Sequence, residues 1–374
     1  MKVCIIGNNL TGLILASILS KKNFFTEIYS IKGKKLNFPT RTLGITSDNL
    51  DYLQKYFKGI LKKTHPIEKI KVLIKNDKIN EKIIFNKNSK PHFHMIKYDK
   101  LITYLTSKFK SNKFISFKSL KKNSQLLSLV KQNKFKLIIN CERSNILTEK
   151  FLTKGIFKNY NNKAFTTIIK HSKINNNIAT QIFTKNGPIA YLPLSNSFTS
   201  VVYSIEINKK KNISEKEIAA VIKKFNPCYK ILNYKNFESF NLNMKLPKKY
   251  YYKNILFFGD SIHSIHPLAG QGLNLGFRDI ASLTEILVNG KKIGEDIGSI
   301  GLLKRYEQWR SFDRFLLSSY TDGINTLFSN DNKILRAVRR LGLKAIDSST
   351  NLKTAFMNEA AGEYGHLPDL LKET

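Results

Sequence analysis

The chain opens on a short apolar, β-rich run, Val3–Ile6, that breaks at Gly7 and turns through Asn8-Asn9-Leu10-Thr11 to Gly12. Helical apolar spacing follows over Leu13–Ser20, and Glu27–Ser30 reads as a second strand. Strand, tight turn, helix and strand in that order form a βαβ unit, which commits the chain to a parallel sheet, because two parallel strands need a crossover between them. The run Asn254–Phe258 returns to the same strand type, and a helix begins near Gln271.

Other segments break this rhythm. Lys69 to His94 alternates apolar and polar residues, with turn signals at Asn76-Asp77 and Asn86–Pro91, as antiparallel strands do. Tyr98–Lys110 is helical in pattern and Lys136–Cys141 is a short buried strand. From Lys163 to Asn208 the pattern is β throughout, including Ile189–Leu194 and Thr199–Ile207. A helix is expected over Ser214–Phe225, and the chain is helical beyond Gly301. At 374 residues the chain is long enough for two medium domains. The expected organisation is a discontinuous dinucleotide-binding domain over residues 1–72, 97–152 and 250–300, a β-rich domain over 73–96 and 153–249, and a helical section over 301–374.

Composition narrows the partners. Lys and Arg number 63 against 27 Asp and Glu, a net charge of +36, which attracts anionic surfaces such as lipid headgroups. The lysines are scattered in pairs along the whole chain rather than gathered on one segment, so nucleic acid is not expected as a partner. No run of 18 apolar residues is present, so no membrane-spanning helix is expected, and the first residues lack the sections of a signal peptide. Cys4, Cys141 and Cys228 stand far apart without metal-type spacing, which suits free thiols in a reducing cytoplasm.

In the turn Gly7-Asn8-Asn9-Leu10-Thr11-Gly12 the first glycine permits a tight turn and the last lets helix and strand pack closely. Asn9 stands where a dinucleotide-binding turn usually has a second glycine. Asparagine tolerates positive φ better than most residues, but its side chain takes space beside a phosphate. No carboxylate stands near Ser30, where a second strand ordinarily ends in one that grips ribose hydroxyls. The more specific signal lies at Phe257-Phe258-Gly259-Asp260 and runs through Pro267-Leu268-Ala269-Gly270-Gln271-Gly272-Leu273-Asn274 to Gly276. There a strand delivers a carboxylate, and a loop containing Pro and Gly leads into a helix whose exposed amides stabilise negative charge.

At these residues the chain resembles the FAD-dependent hydroxylases of ubiquinone biosynthesis, within the para-hydroxybenzoate hydroxylase-like flavin monooxygenases. The resemblance extends from Gly259 to Arg278-Asp279, and to Asn37–Ile45, Gly187–Leu194 and Thr321–Asp331 with Gly342-Leu343. It implies an α/β fold with an FAD-binding Rossmann-like domain of the glutathione-reductase type, an inserted β-rich substrate domain and C-terminal helices. It implies FAD as cofactor, held by Gly7, Asn9, Gly12, Arg41, Asp260, Pro267, Gly270, Gln271, Gly272, Leu273 and Asn274. Tyr191, Pro193 and His266 are the expected substrate contacts, and NAD(P)H is the expected reductant. The implied reaction hydroxylates a polyprenylated phenol or quinol with O2 through a flavin hydroperoxide, so no side chain need act as a catalytic acid, base or nucleophile. The implied setting is the cytoplasm, with peripheral attachment to an anionic inner-membrane surface and other ubiquinone-biosynthesis proteins as partners. One departure stands out: the family's Gly-Ala-Asp-Gly segment is here Asn140-Cys141-Glu142-Arg143.

Several features have a plain structural reading beside the functional one. His263 and His266 lack the further ligands that zinc requires, and no metal is expected. His92 and His94 are expected near the surface, and Cys141 as a small core residue. Lys333–Leu341 is a basic amphipathic helix that either packs on the body or lies on anionic lipid. A flavin halogenase would carry a Trp-rich motif, and Trp309 is the only tryptophan. Another flavoenzyme of the same fold and a flavin-poor scaffold subunit remain the alternatives.

Overall fold

A computed structural model describes residues 1–32, 40–76, 79–86, 90–109, 112–207, 213–262, 271–329 and 367–372, with isolated positions between 342 and 354. In chain order the elements are β1 (Lys2–Ile6), α1 (Leu10–Lys21), β2 (Phe25–Ile31), β3 (Thr42–Thr46), α2 (Ser47–Tyr56), β4 (His65–Ile67), β5 (Lys69–Asn76), β6 (Ile79–Asn86), β7 (Phe93–Lys97) and α3 (Tyr98–Ser107). There follow β8 (Ile115–Leu120), α4 (Gln125–Lys131), β9 (Leu137–Asn140), α5 (Ile146–Phe151), β10 (Ile156–His171), β11 (Ile178–Thr184), β12 (Gly187–Ser195), β13 (Phe198–Glu206) and α6 (Glu215–Lys224). The chain closes with β14 (Ile231–Leu246), β15 (Tyr251–Tyr252), β16 (Ile255–Phe257), α7 (Gln271–Lys292), α8 (Ile300–Ser329) and α9 (Asp369–Lys372).

One six-stranded sheet runs β15-β16-β9-β1-β2-β8. Every pairing in it is parallel except β15 with β16. Val3–Ile6 and Leu137–Asn140 are buried at every position, as central parallel strands covered on both faces must be. α1 is buried along nearly its whole length because it lies between this sheet and neighbouring helices. The sequence runs from β1 through α1 to β2 on one side of β1, while β9 lies on the other. The strand order therefore reverses between β1 and β9, and ligand crevices in open α/β sheets form outside the carboxyl ends of the strands at such a switch.

A seven-stranded sheet, β14-β10-β13-β12-β11-β5-β6, forms the β-rich unit. Its strands pair antiparallel except β11 with β5. α6 covers one face, where Ile169, Ile189, Tyr191, Val201 and Tyr203 pack with Ile218 and Ile222. The opposite face meets a small third sheet, β3-β7-β4. There Leu192 and Leu194 pack with Ile67 and Met95, and the Thr42 hydroxyl donates to Ser200 Oγ at 2.9 Å. His94, expected near the surface, is instead buried at 7% exposure, because β7 is the central strand of that third sheet and is paired on both sides.

α7 and α8 are joined by a buried ionic cluster. Asp279 receives Arg310 Nε at 2.8 Å and Arg314 Nη2 at 2.9 Å, and Arg310 also pairs with Asp313. The Arg314 guanidinium lies 4.3 Å from the Tyr250 ring centroid and donates to the Tyr306 hydroxyl at 2.7 Å.

Candidate active site at the switch of the parallel sheet

β1 delivers Gly7 to the switch point, where its amide donates to the Tyr29 carbonyl at 2.8 Å and its φ is +109°. A side chain there would meet Glu142 Cγ at 2.8 Å. Gly12 is required by closeness: a Cβ would lie 2.3 Å from the Gly7 carbonyl oxygen, inside any tolerable contact. These two glycines fold the turn tightly enough to aim the α1 N-terminus across the strand ends.

Asn9 is the helix N-cap, and its φ of −74° shows that this position makes no demand for positive φ. Its Oδ1 accepts the Gly12 amide at 3.0 Å, and its Nδ2 donates to the Cys141 carbonyl at 2.6 Å. The side chain thereby bridges the ends of β1 and β9. The Asn140-Cys141-Glu142-Arg143 segment has its own internal order. Asn140 exchanges amide hydrogen bonds with Asn145 and donates to Thr148 Oγ1 at 3.0 Å. Asn145 in turn caps α5. Cys141 and Glu142 are buried, and the Cys141 thiol is pushed well above its ordinary pKa by burial and then by the Asp260 and Glu142 charges.

β16 brings up the third strand end. Phe258 N donates to the Asn140 carbonyl at 2.9 Å, the Ser261 hydroxyl donates to the same carbonyl at 2.8 Å, and the Gly259 backbone lies against the Thr11 side chain. Asp260 is exposed in the short 3-10 turn that follows. It lies near Tyr98, whose hydroxyl burial pushes up in pKa, with Asp260 adding to the rise and Arg41 opposing it. Tyr98 begins α3 and is 2% exposed. Arg41 is exposed, and its guanidinium stands 4.7 Å from the Tyr98 ring centroid.

The first turn of α7 is tied to β3. Asn274 Nδ2 donates to the Gly44 carbonyl at 3.0 Å, while its Oδ1 accepts Thr46 N at 3.0 Å and Asn49 Nδ2 at 3.1 Å. Gly272 and Leu273 are half-buried beside it, and Gln271 begins the helix. Pro267, Gly270, His263, His266 and the basic segment 333–341 lie outside the described residues. Gly7, Asn9, Gly12, Arg41 and Asp260 converge around the α1 N-terminus. Sequence reasoning missed Tyr98 and the Cys141 carbonyl as members of that group. Tyr191 lies elsewhere, with its hydroxyl donating to the Ile222 carbonyl at 2.7 Å on the α6 side of its sheet. Pro193 alternates with Leu192 and Leu194 along β12 and is buried with Tyr191.

A dinucleotide fits this frame. Gly7 and Gly12 admit no side chain, the positive end of α1 faces the switch point, and a carboxylate and a guanidinium stand at its rim. Residues 151–311 match the FAD binding domain family, a stretch that includes the strand-to-helix segment 259–274. Over 188 residues the chain is 36% identical to the 3-demethoxyubiquinol 3-hydroxylase of Escherichia coli (strain K12), covering 49% of this chain and 48% of that one. Over about half its length the chain is thus similar to a protein named as a ubiquinol-pathway hydroxylase. A second such relative, the ubiquinone hydroxylase UbiL of Rhodospirillum rubrum, is 31% identical over 217 residues, 54% of this chain and 48% of its own. The chain thus spans about half the length of the curated relatives it matches. The p-nitrophenol 4-monooxygenase PnpA of Pseudomonas putida DLL-E4 shares the fold at a TM-score of 0.75, with 14% identity over 99% of this chain and 97% of that one. No described helix is long and apolar enough to cross a membrane.

Proposed function

We propose that this protein is an FAD-dependent monooxygenase that adds a hydroxyl group to the aromatic ring of a polyprenylated phenol or quinol, with O2 as oxidant and NAD(P)H as reductant. One observation carries the reading: the ends of β1, β9 and β16 converge on the first turn of α1, in a chain whose residues 151–311 match an FAD binding domain. A bound flavin supplies the oxygen chemistry, and the protein's share is to bind, orient and exclude water. Gly7, Gly12 and the α1 N-terminus would face the pyrophosphate, Asp260 the ribityl hydroxyls, and residues 270–274 the flavin ring. Asn274 supports that role by fixing the start of α7 to β3 through Gly44 and Thr46. The substrate ring belongs on the sheet face of Leu192 and Leu194, which stay half-buried beside the three-stranded sheet, whereas Tyr191 is fully buried beneath α6.

An anionic membrane surface is a further partner we propose. A groove of about 370 Å³ between α8 and the β10/β14 strands is lined by Ile156, Leu246, Pro247, Tyr250 and Phe315, with Lys248 among them. Phe157 and Phe312 are 66% and 61% exposed beside it. Apolar side chains that enter the acyl boundary beside a lysine that meets the headgroups let a protein sit on lipid. A substrate with a prenyl tail would be delivered from that surface.

The test is the absorbance spectrum of the purified protein with the released cofactor identified by mass, followed by turnover under 18O2. Bound FAD and one labelled oxygen in the ring of a prenylated phenol support the reading. Protein that neither carries nor takes up FAD overturns it in favour of a flavin-poor scaffold subunit, a reading favoured by the Gly12 amide that Asn9 already holds.

A further inference from the structure

Arg41 stands at the rim of the crevice, and the residues on either side of it are fastened to the seven-stranded sheet. The Thr40 amide and hydroxyl both donate to the Glu238 carboxylate of β14, the amide at 3.2 Å. With its one proton committed to that carboxylate, the Thr40 oxygen is the acceptor in its 2.9 Å contact with Thr166 Oγ1 of β10. The Thr42 hydroxyl donates to Ser200 Oγ of β13 at 2.9 Å. Arg41, between the two threonines, lies over Tyr98 instead. Its guanidinium is 4.7 Å from the ring centroid, and its carbonyl accepts the Tyr98 amide at 3.0 Å. Thr40 is 1% exposed, so its amide needs a partner inside the protein, and Glu238 supplies it. An irregularity in β14 accompanies this contact. Lys235 pairs with Ile168 and Glu238 with Thr166, so β14 takes three steps where β10 takes two. A bulge of this kind re-aims the side chain beside it. Here Glu238 and Thr166, directly opposite one another, meet the same hydroxyl.

We propose that Glu238 is a positioning residue for the cofactor: by fixing Thr40 it sets where Arg41 stands at the crevice, although it belongs to the β-rich sheet and not to the parallel one. The proposal rests on the FAD reading above. Arginine has a long side chain with several rotatable bonds, and it contributes to binding only as far as its place is fixed beforehand. Here its neighbours are held by three strands of the seven-stranded sheet and its own carbonyl by the head of α3. A change in that sheet is therefore felt at the flavin crevice through a bond between residues 198 positions apart.

The experiment is a double-mutant cycle in the full chain, with FAD affinity read by fluorescence titration of flavin-free protein. Glu238→Ala is expected to weaken FAD binding about tenfold, the equivalent of one misplaced hydrogen bond. Glu238→Gln keeps a carbonyl oxygen for the Thr40 amide and hydroxyl, and should restore wild-type affinity. In an Arg41→Ala background, which itself binds FAD more weakly, Glu238→Ala should change nothing further, an outcome that a merely structural role for Glu238 does not give. Equal losses from Glu238→Ala in both backgrounds, or undiminished affinity of the single variant, overturn the positioning role and leave the FAD reading standing. So does an Arg41→Ala variant that binds FAD as tightly as the wild type. Failure of the wild type to bind FAD overturns both. If Glu238→Ala does not fold, Thr40→Val runs the same cycle, since it removes the hydroxyl and keeps the branched shape of the side chain.

Discussion

Asp279 of α7 accepts a hydrogen bond from Arg310 Nε of α8 at 2.8 Å, and neither side chain has any exposed surface. Within the strand-to-helix segment that resembles flavin hydroxylases, Asp279 therefore serves the α7–α8 contact rather than the cofactor. Removing one partner of a buried ion pair strands the other charge, at a cost of about 3–5 kcal/mol. Here Arg314 would be stranded as well as Arg310. Asp279→Ala is expected to lose at least that much stability in urea unfolding, whereas Asp296→Ala, in the loop between the same helices, should lose little. Equal losses would remove the special role of the buried cluster.

Asp260 calls for the opposite separation. It is exposed at the mouth of the crevice and holds none of the core together. Asp260→Ala should leave the melting temperature of the flavin-free protein unchanged while weakening FAD binding roughly tenfold to a hundredfold, the range for a lost hydrogen bond to a charged group. Fluorescence titration measures it, and unaltered affinity would remove Asp260 from the site. His263→Ala should leave flavin content unaltered.

These two aspartates show what was legible in the sequence and what was not. The β1–turn–α1–β2 unit and the strand-to-helix segment at 254–276 were readable because local periodicity and glycine spacing dictate them. The spacing also found Gly7 and Gly12, which the backbone requires. It could not find Tyr98 or the Cys141 carbonyl. The Cys141 carbonyl reaches the α1 N-terminus only because β9 lies beside β1, a contact across 132 residues, and Tyr98 meets Arg41 only because β7 pairs with β3. Nor could a carboxylate in a helix-initiating segment be sorted into Asp260 at the rim and Asp279 in the core, since only packing of α8 decides that.

The three-stranded sheet carries a pH dependence. Burial holds the His94 imidazole below its ordinary pKa of 6.5, against an upward pull from Asp51 and with a further downward push from His65. The folded protein keeps His94 neutral while the unfolded chain takes up a proton near pH 6.5. Its contribution to stability is thus fully present above that pH and is lost as pH falls toward the lower folded value. Urea midpoints between pH 7.5 and 5 should fall more steeply in the wild type than in His94→Gln. Parallel curves would show that His94 is not a source of the acid sensitivity.

The face of the seven-stranded sheet that meets substrate can be settled by two neighbouring residues. Side chains alternate along β12, so Tyr191 and Leu192 point to opposite faces. Tyr191 is buried against α6 and bonds the Ile222 carbonyl. Tyr191→Phe leaves that carbonyl short of a partner and should cost about 1–3 kcal/mol of stability, with kcat/KM for a prenylated phenol unaltered. Leu192 packs toward the three-stranded sheet, where it is only half-buried. Leu192→Ala should raise KM severalfold with little change in melting temperature, because a truncated apolar contact weakens ring binding by about 1–3 kcal/mol at most. If Tyr191→Phe instead alters kcat/KM while Leu192→Ala does not, the substrate lies on the α6 face, and that helix would have to move to admit it.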